Sequence, residues 1–200
     1  MPETGTGGAM KIVTILGSPR KKGNTAEALG MFEENVKAAG HSVKRVNLAG
    51  EEVKPCLSCW KCMKSEEEPG CARKDGAADI FGKMIAADGI VYATPLYCWC
   101  YSAQMKALID RHVCLVKGYG AGSHKSFLAG KKTALLVTCE GPVKENADLI
   151  QVAFDRMMGE YGLMDIVGKY IVPGCGLKTG TLPAGAAKTM KKMAADFGRK

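Results

Sequence analysis

The feature that most limits the folds open to this chain lies near its start. There the apolar run Lys11–Leu16 passes directly into Gly17-Ser18-Pro19-Arg20-Lys21-Lys22-Gly23-Asn24-Thr25. A nearly unbroken apolar run reads as a strand buried on both faces, which belongs in a parallel sheet. The loop after it opens into a helix over Asn24–Ala39, with Leu29, Phe32 and Val36 at helical spacing and Gly40 as its stop. A helix start offers unpaired N–H groups and the positive end of a dipole. Ser18, Asn24 and Thr25 add short polar side chains, Arg20 adds a planar fork, and Gly17 and Gly23 allow close backbone approach. This chemistry suits one phosphate on one mononucleotide. The loop has no G-x-G-x-x-G of a dinucleotide site and no G-K-[ST] of a nucleoside triphosphate site. The plainer alternative is an ordinary strand-to-helix turn.

The alternation continues along the chain. Strands are expected over Ser42–Leu48, Gly89–Thr94, Lys132–Thr138 and Met164–Val172, and helices over Asp79–Ala87, Ser102–Val116, Asn146–Tyr161 and Pro183–Phe197. Five strands separated by helices imply a parallel sheet covered on both faces, with a ligand beyond the carboxyl ends of the strands. That rule gathers three loops, 17–25, 95–101 and 138–142, around one site. Residues 11–200 read as one domain carrying a cysteine-rich loop at about 49–75, and Met1–Met10 as a disordered extension.

Composition bounds the partners. With 46% hydrophobic residues in 200, the chain can bury an adequate core, and it holds no apolar run long enough to span a membrane. The net charge of +8 is spread along the chain without a basic-aromatic array, so anionic nucleotides are better partners than nucleic acid. Nine cysteines without a secretion signal point to a reducing compartment, the cytoplasm, where thiols serve as ligands or reactants. Cys56, Cys59, Cys62 and Cys71 are candidate ligands. Their close spacing is compatible with an iron–sulfur cluster, with zinc, or with free or redox-active thiols. His41, His112 and His124 have no ligand-like spacing to this run and read as surface or helix residues. Cys98, Cys100 and Cys139 are either small core filler or a redox-active set, and Glu66–Glu68 reads as a solvated face. Lys106 and Asp110 read as an i,i+4 pair that fixes a helix.

A second motif follows the third strand: Pro95-Leu96-Tyr97-Cys98-Trp99-Cys100-Tyr101, then Ser102-Ala103-Gln104-Met105-Lys106-Ala107-Leu108-Ile109-Asp110-Arg111. Its aromatic rings suit the border of a flat, mostly apolar ligand, or else a core or subunit interface. Over about residues 11–175 the two motifs, in this order, resemble the NADPH-dependent FMN reductase superfamily. The resemblance implies a flavodoxin-like three-layer α/β sandwich with strand order 2-1-3-4-5. It implies that Ser18, Arg20, Gly23, Asn24 and Thr25 hold the FMN phosphate and that Pro95, Leu96, Tyr97 and Trp99 wrap the flavin. Thr138, Cys139, Glu140 and Gly141 would touch the ring or ribityl chain. Within the superfamily, Cys56-x2-Cys59-x2-Cys62-x8-Cys71 resembles the ligand run of iron–sulfur flavoproteins. The activity implied is an FMN-dependent NAD(P)H oxidoreductase in a homo-oligomer, dimer or tetramer, that passes electrons to a small acceptor or cluster. The alternatives are an FMN-binding electron carrier or redox sensor without nicotinamide turnover, or a metal- or nucleic-acid-binding module that has lost its flavin.

Overall fold

The structure, a computed structural model, describes residues 8–199. β1 (Lys11–Leu16) lies inside a five-stranded parallel sheet, and its side chains alternate between two cores: Val13 and Ile15 face one, Ile12 and Leu16 the other. Burial on both faces explains the unbroken apolar run. β2 (Ser42–Asn47) forms one edge and is correspondingly more exposed. β3 (Gly89–Pro95) is buried throughout and pairs with β1 on its other side. After a two-stranded antiparallel hairpin, β4 (Val116–Lys117) with β5 (Lys125–Ser126), come β6 (Lys132–Thr138) and β7 (Asp165–Val172). The sheet order is β2-β1-β3-β6-β7. Counting only strands of the main sheet, this is the flavodoxin-like order 2-1-3-4-5.

Helices form the outer layers. α1 (Asn24–Ala38) and α5 (Ala186–Gly198) cover one face, where the Phe32 and Phe197 rings meet edge-on at 5.5 Å. α2 (Ala77–Ile85), α3 (Ala103–Asp110) and α4 (Asp148–Phe154) cover the other with Ile80, Met84, Met105, Leu108 and Phe154. The first seven residues of the expected extension lie outside the described residues. Met10, its last residue, packs against the α1–α5 core and donates its N–H to His41 Nδ1.

Two helices differ from expectation. The helix expected over Ser102–Val116 stops at Asp110, tightens into a 3-10 turn over Arg111–Leu115, and gives way to β4. Arg111, His112, Cys114, Leu115 and Val116 are all buried. An α-helix with one apolar stripe cannot bury so many consecutive positions, whereas an irregular turn can. The helix expected over Asn146–Tyr161 begins at Asp148 and widens into a π-helix over Asp155–Tyr161. Asp155 at its start pairs with Lys169 of β7 at 2.5 Å.

Candidate functional site

The carboxyl ends of β1, β3, β6 and β7 enclose a cleft of about 290 Å³. Every residue of the sequence-derived cofactor set lines it except Trp99 and Gly141. Gly23 caps α1 in extended conformation without a side-chain cap, which leaves the helix's first N–H groups facing the loop. Ser18 and Thr25 are buried at the base, where Ser18 Oγ accepts from the Arg20 N–H and Thr25 Oγ1 lies 2.6 Å from Thr138 Oγ1. Pro95 and Leu96 make the opposite wall together with the half-exposed Tyr97.

Ser102 fixes how these loops meet. Its hydroxyl donates to the Gly17 carbonyl at 2.5 Å and accepts from the Met105 N–H as the α3 cap, while its own N–H donates to Thr94 Oγ1. Gly17 is required by space: a Cβ there would stand 2.8 Å from Met105 Cβ and 3.1 Å from Ser102 Oγ.

The loop after β7 supplies a fourth wall that the sequence reading did not include: Cys175, Gly176 and Leu177. Arg20 donates to the Leu177 carbonyl at 2.9 Å, and Asn24 Nδ2 donates to the Gly176 carbonyl at 2.9 Å and to Thr181 Oγ1. The strand-end rule, applied to the fifth strand as to the others, would have found this segment. Trp99 instead stands on a two-residue turn between Tyr97 and Cys100, whose N–H and C=O groups pair in both directions at 3.0 Å. Cys98 and Trp99 both take left-handed conformations there and point outward, exposed. Thus of Cys98, Cys100 and Cys139, only Cys139 borders the cleft. Burial pushes its thiol pKa up, and neighbouring Cys175 adds to the shift.

A second cavity, about 310 Å³, is lined by Cys56, Cys59, Cys62 and Cys71. Ser58 and Trp60 take left-handed conformations within the C-x-x-C-x-x-C run, and all three of its cysteines line this cavity. Burial pushes the Cys62 thiol up, partly offset by the Lys117 ammonium. Lys117 is itself buried and donates to the Cys62 carbonyl at 2.7 Å, clamping the loop from below. Arg111, directly after α3, forms a two-pronged pair with Asp75 at 2.8 and 3.2 Å and donates to the Lys54 carbonyl at 2.9 Å. Both side chains are 1% exposed. Burial raises the Asp75 pKa, but hydrogen bonds from Arg111, Lys54 and Ala77 outweigh it and hold the carboxyl below its ordinary 3.8. α3 therefore joins the two sites: its cap holds the cleft, and the turn at its other end walls the cysteine pocket.

Among the described residues, no three Cys, His, Asp or Glu side chains converge to hold a single metal ion. Four cysteines lining one cavity fit a group with several metal corners, each reached by a different thiol, better than one zinc. The buried, unpartnered Nε of Arg111 in the same wall fits the sulfur acceptors such a group carries. His112 is no ligand: it is buried against Phe81 and Tyr92, and burial pushes its pKa down to about 3. Lys106 and Asp110 form the expected surface pair at 2.6 Å, and Glu66 of the acidic run meets Lys125 at 2.9 Å.

Residues 10–158 match the model of the NADPH-dependent FMN reductase family, and the chain belongs to that family. Its curated relatives include iron–sulfur flavoproteins. One from Methanosarcina thermophila is 42% identical over 106 residues, covering 53% of this chain and 54% of that one. Another, from Archaeoglobus fulgidus, is 29% identical over 168 residues, covering 82% of this chain and 71% of that one. The chain thus spans about half the length of the first of these relatives. Among solved structures, an NAD(P)H:quinone oxidoreductase from Methanothermobacter marburgensis superposes with a TM-score of 0.72 at 15% identity, covering 96% of this chain and 98% of that one. An FMN-dependent NADH-azoreductase from Bacillus anthracis, in complex with FMN, also gives 0.72 at 15% identity, covering 94% and 100%. At that identity the likeness establishes the fold alone. No helix of the described residues is long and apolar enough to cross a membrane.

Proposed function

We propose that this chain is an FMN-dependent NAD(P)H oxidoreductase whose cysteine pocket carries an iron–sulfur cluster as the next electron acceptor. The observation that supports it most is one short helix bracing two chemically different sites, an anion-and-ring cleft and a four-thiol pocket. When bound, FMN takes a hydride from NAD(P)H and releases electrons singly, which a cluster can accept.

The chain's own residues position these groups. Ser18, Arg20, Asn24 and Thr25, with the first N–H groups of α1, hold the phosphate. Pro95, Leu96 and Tyr97 border the ring on one side, and the Thr138–Glu140 turn borders it on the other. Cys56, Cys59, Cys62 and Cys71 ligate the cluster, in a reducing compartment such as the cytoplasm. The exposed Leu57, Trp60 and Trp99 support assembly with further copies of the chain.

The deciding experiment is an absorption spectrum of anaerobically purified protein before and after NADPH, with iron and flavin analysis. Flavin bands over a broad thiolate-to-iron absorbance, both bleaching, are expected. Flavin bands alone would leave a simpler FMN reductase with free thiols. A flavin reduced by dithionite but not by NADH or NADPH would favour the electron carrier, and no flavin after reconstitution would overturn the reading.

A further inference from the structure

The wall of the cysteine pocket contains a buried cation with one nitrogen left unpartnered. Arg111 is held from behind: Nη1 donates to Asp75 and to the Lys54 carbonyl, and Nη2 donates to Asp75. The remaining guanidinium nitrogen, Nε, is buried and its N–H has no acceptor, although the residue lines the pocket. An orphaned buried donor costs about 1–3 kcal/mol, more on a charged group, so its persistence calls for an explanation. The ligand candidate nearest in chemistry is Cys71. Burial works against the guanidinium's charge, but Asp75 and then Cys71 restore it, so the thiol is near enough to interact with Arg111.

We propose that Arg111 is a positioning residue that sets the electron affinity of the thiolate-bound cluster, by donating its Nε–H to sulfur at Cys71 or to an adjacent sulfide. This rests on the cluster assigned to the pocket above. Reduction adds negative charge to the cluster, and a fixed donor and cation at its sulfur stabilise the reduced form more than the oxidised one. Hydrogen bonds to sulfur, net charge and burial are the terms through which a protein tunes such a centre. Asp75 makes the effect specific. A guanidinium held at both Nη atoms cannot turn away, so Nε keeps its aim as a free lysine would not. Lys117 also lies beneath the loop, but its ammonium bonds to the Cys62 carbonyl and acts through charge alone. Arg73 Nε is a second unpartnered donor lining the pocket, yet its side chain is only partly buried and makes no anchoring hydrogen bond of the kind that braces Arg111.

The test is an EPR-monitored redox titration of the anaerobic holoprotein, with iron and flavin contents measured on the same samples. The variants are Arg111→Lys, the double change Arg111→Gln with Asp75→Asn, which avoids stranding a buried carboxylate, and Arg73→Gln for comparison. The expected result is parental iron content with reduction made at least tenfold less favourable in both Arg111 variants, about 59 mV lower for one electron. Arg73→Gln, which removes a partly exposed charge, should move the midpoint less than either Arg111 variant. Full iron with an unmoved midpoint in both Arg111 variants overturns the inference while leaving the cluster intact. Loss of iron with an unmoved midpoint in the residual cluster also overturns it, by reducing Arg111 to a structural brace. If neither Arg111 variant folds, the parental protein carrying ¹⁵N-arginine decides the matter in pulsed EPR, read with and without Arg73→Gln. A nitrogen coupling to the cluster that survives Arg73→Gln supports Arg111, and none overturns it. A parental protein without iron would overturn the cluster itself, a failure distinct from the others.

Discussion

Gly17→Ala is the smallest change that should disturb the cleft without removing any group proposed to touch a ligand. A methyl at this position would stand 2.8 Å from Met105 Cβ, 3.0 Å from Met105 Cε and 3.1 Å from Ser102 Oγ. Cε can swing aside, but Cβ is fixed to the backbone of α3. Ordinary contact begins at 3.4 Å, so the start of α3 and the end of β1 must separate by about 0.6 Å. Overpacking of that kind costs about 1–3 kcal/mol. The 2.5 Å hydrogen bond from Ser102 to the Gly17 carbonyl joins the same two segments and weakens with the separation, adding about 1 kcal/mol. The expected total is about 2–4 kcal/mol, or a fall in Tm of roughly 4–16 °C for a chain of this size. Urea unfolding of the flavin-free protein should show a lower midpoint with an unchanged m value. FMN affinity should fall as well, because Ser18 and the base of the cleft move with Gly17. A variant with parental stability and parental FMN affinity would refute both the packing constraint and the link from α3 to the cleft.

Three further expectations follow from the same contacts. Arg20→Ala with Asn24→Ala should lower FMN retention at least tenfold and, by removing bonds to Gly176, Leu177 and Thr181, raise proteolytic cleavage within 175–182; equilibrium dialysis and mapped trypsin digestion read the two effects separately. Cys98→Ser with Cys100→Ser should leave NAD(P)H turnover within a factor of two, because neither thiol borders the cleft; a tenfold loss would restore the redox-dithiol reading. The cysteine loop should loosen under acid. The folded pKa of Asp75 lies below its ordinary 3.8, so its contribution is present above that value and lost as pH falls through the lower folded pKa. Fluorescence of Trp60 in a Trp99→Phe background should report that transition, and Asp75→Asn should abolish it.

How much of this was legible in the sequence depended on the range of the interactions involved. β1, β3 and β6 can be read to within a residue because burial on both faces leaves a continuous apolar run, and their order follows from the flavodoxin-like pattern. The cleft was legible for the same reason: its loops come straight off strand ends, and strand ends are readable. The cysteine pocket divides differently. Its thiols stand out by spacing, but the cation behind them does not. Arg111 sits one residue past Asp110 in what reads as a surface helix paired through Lys106, and its true partner lies 36 residues back. Only the 3-10 turn that replaces the helix carries Arg111 inward, and that turn forms because nearly every neighbour is apolar or core-packed. The same local irregularity begins β4 and sends Lys117 beneath Cys62. The failure of helical periodicity after Asp110 was therefore itself informative: a segment that buries almost every residue is packed from more than one side. In this chain one of those sides is the cysteine loop, which gives Arg111 and Lys117 a reason to stand at buried positions where charge is otherwise costly.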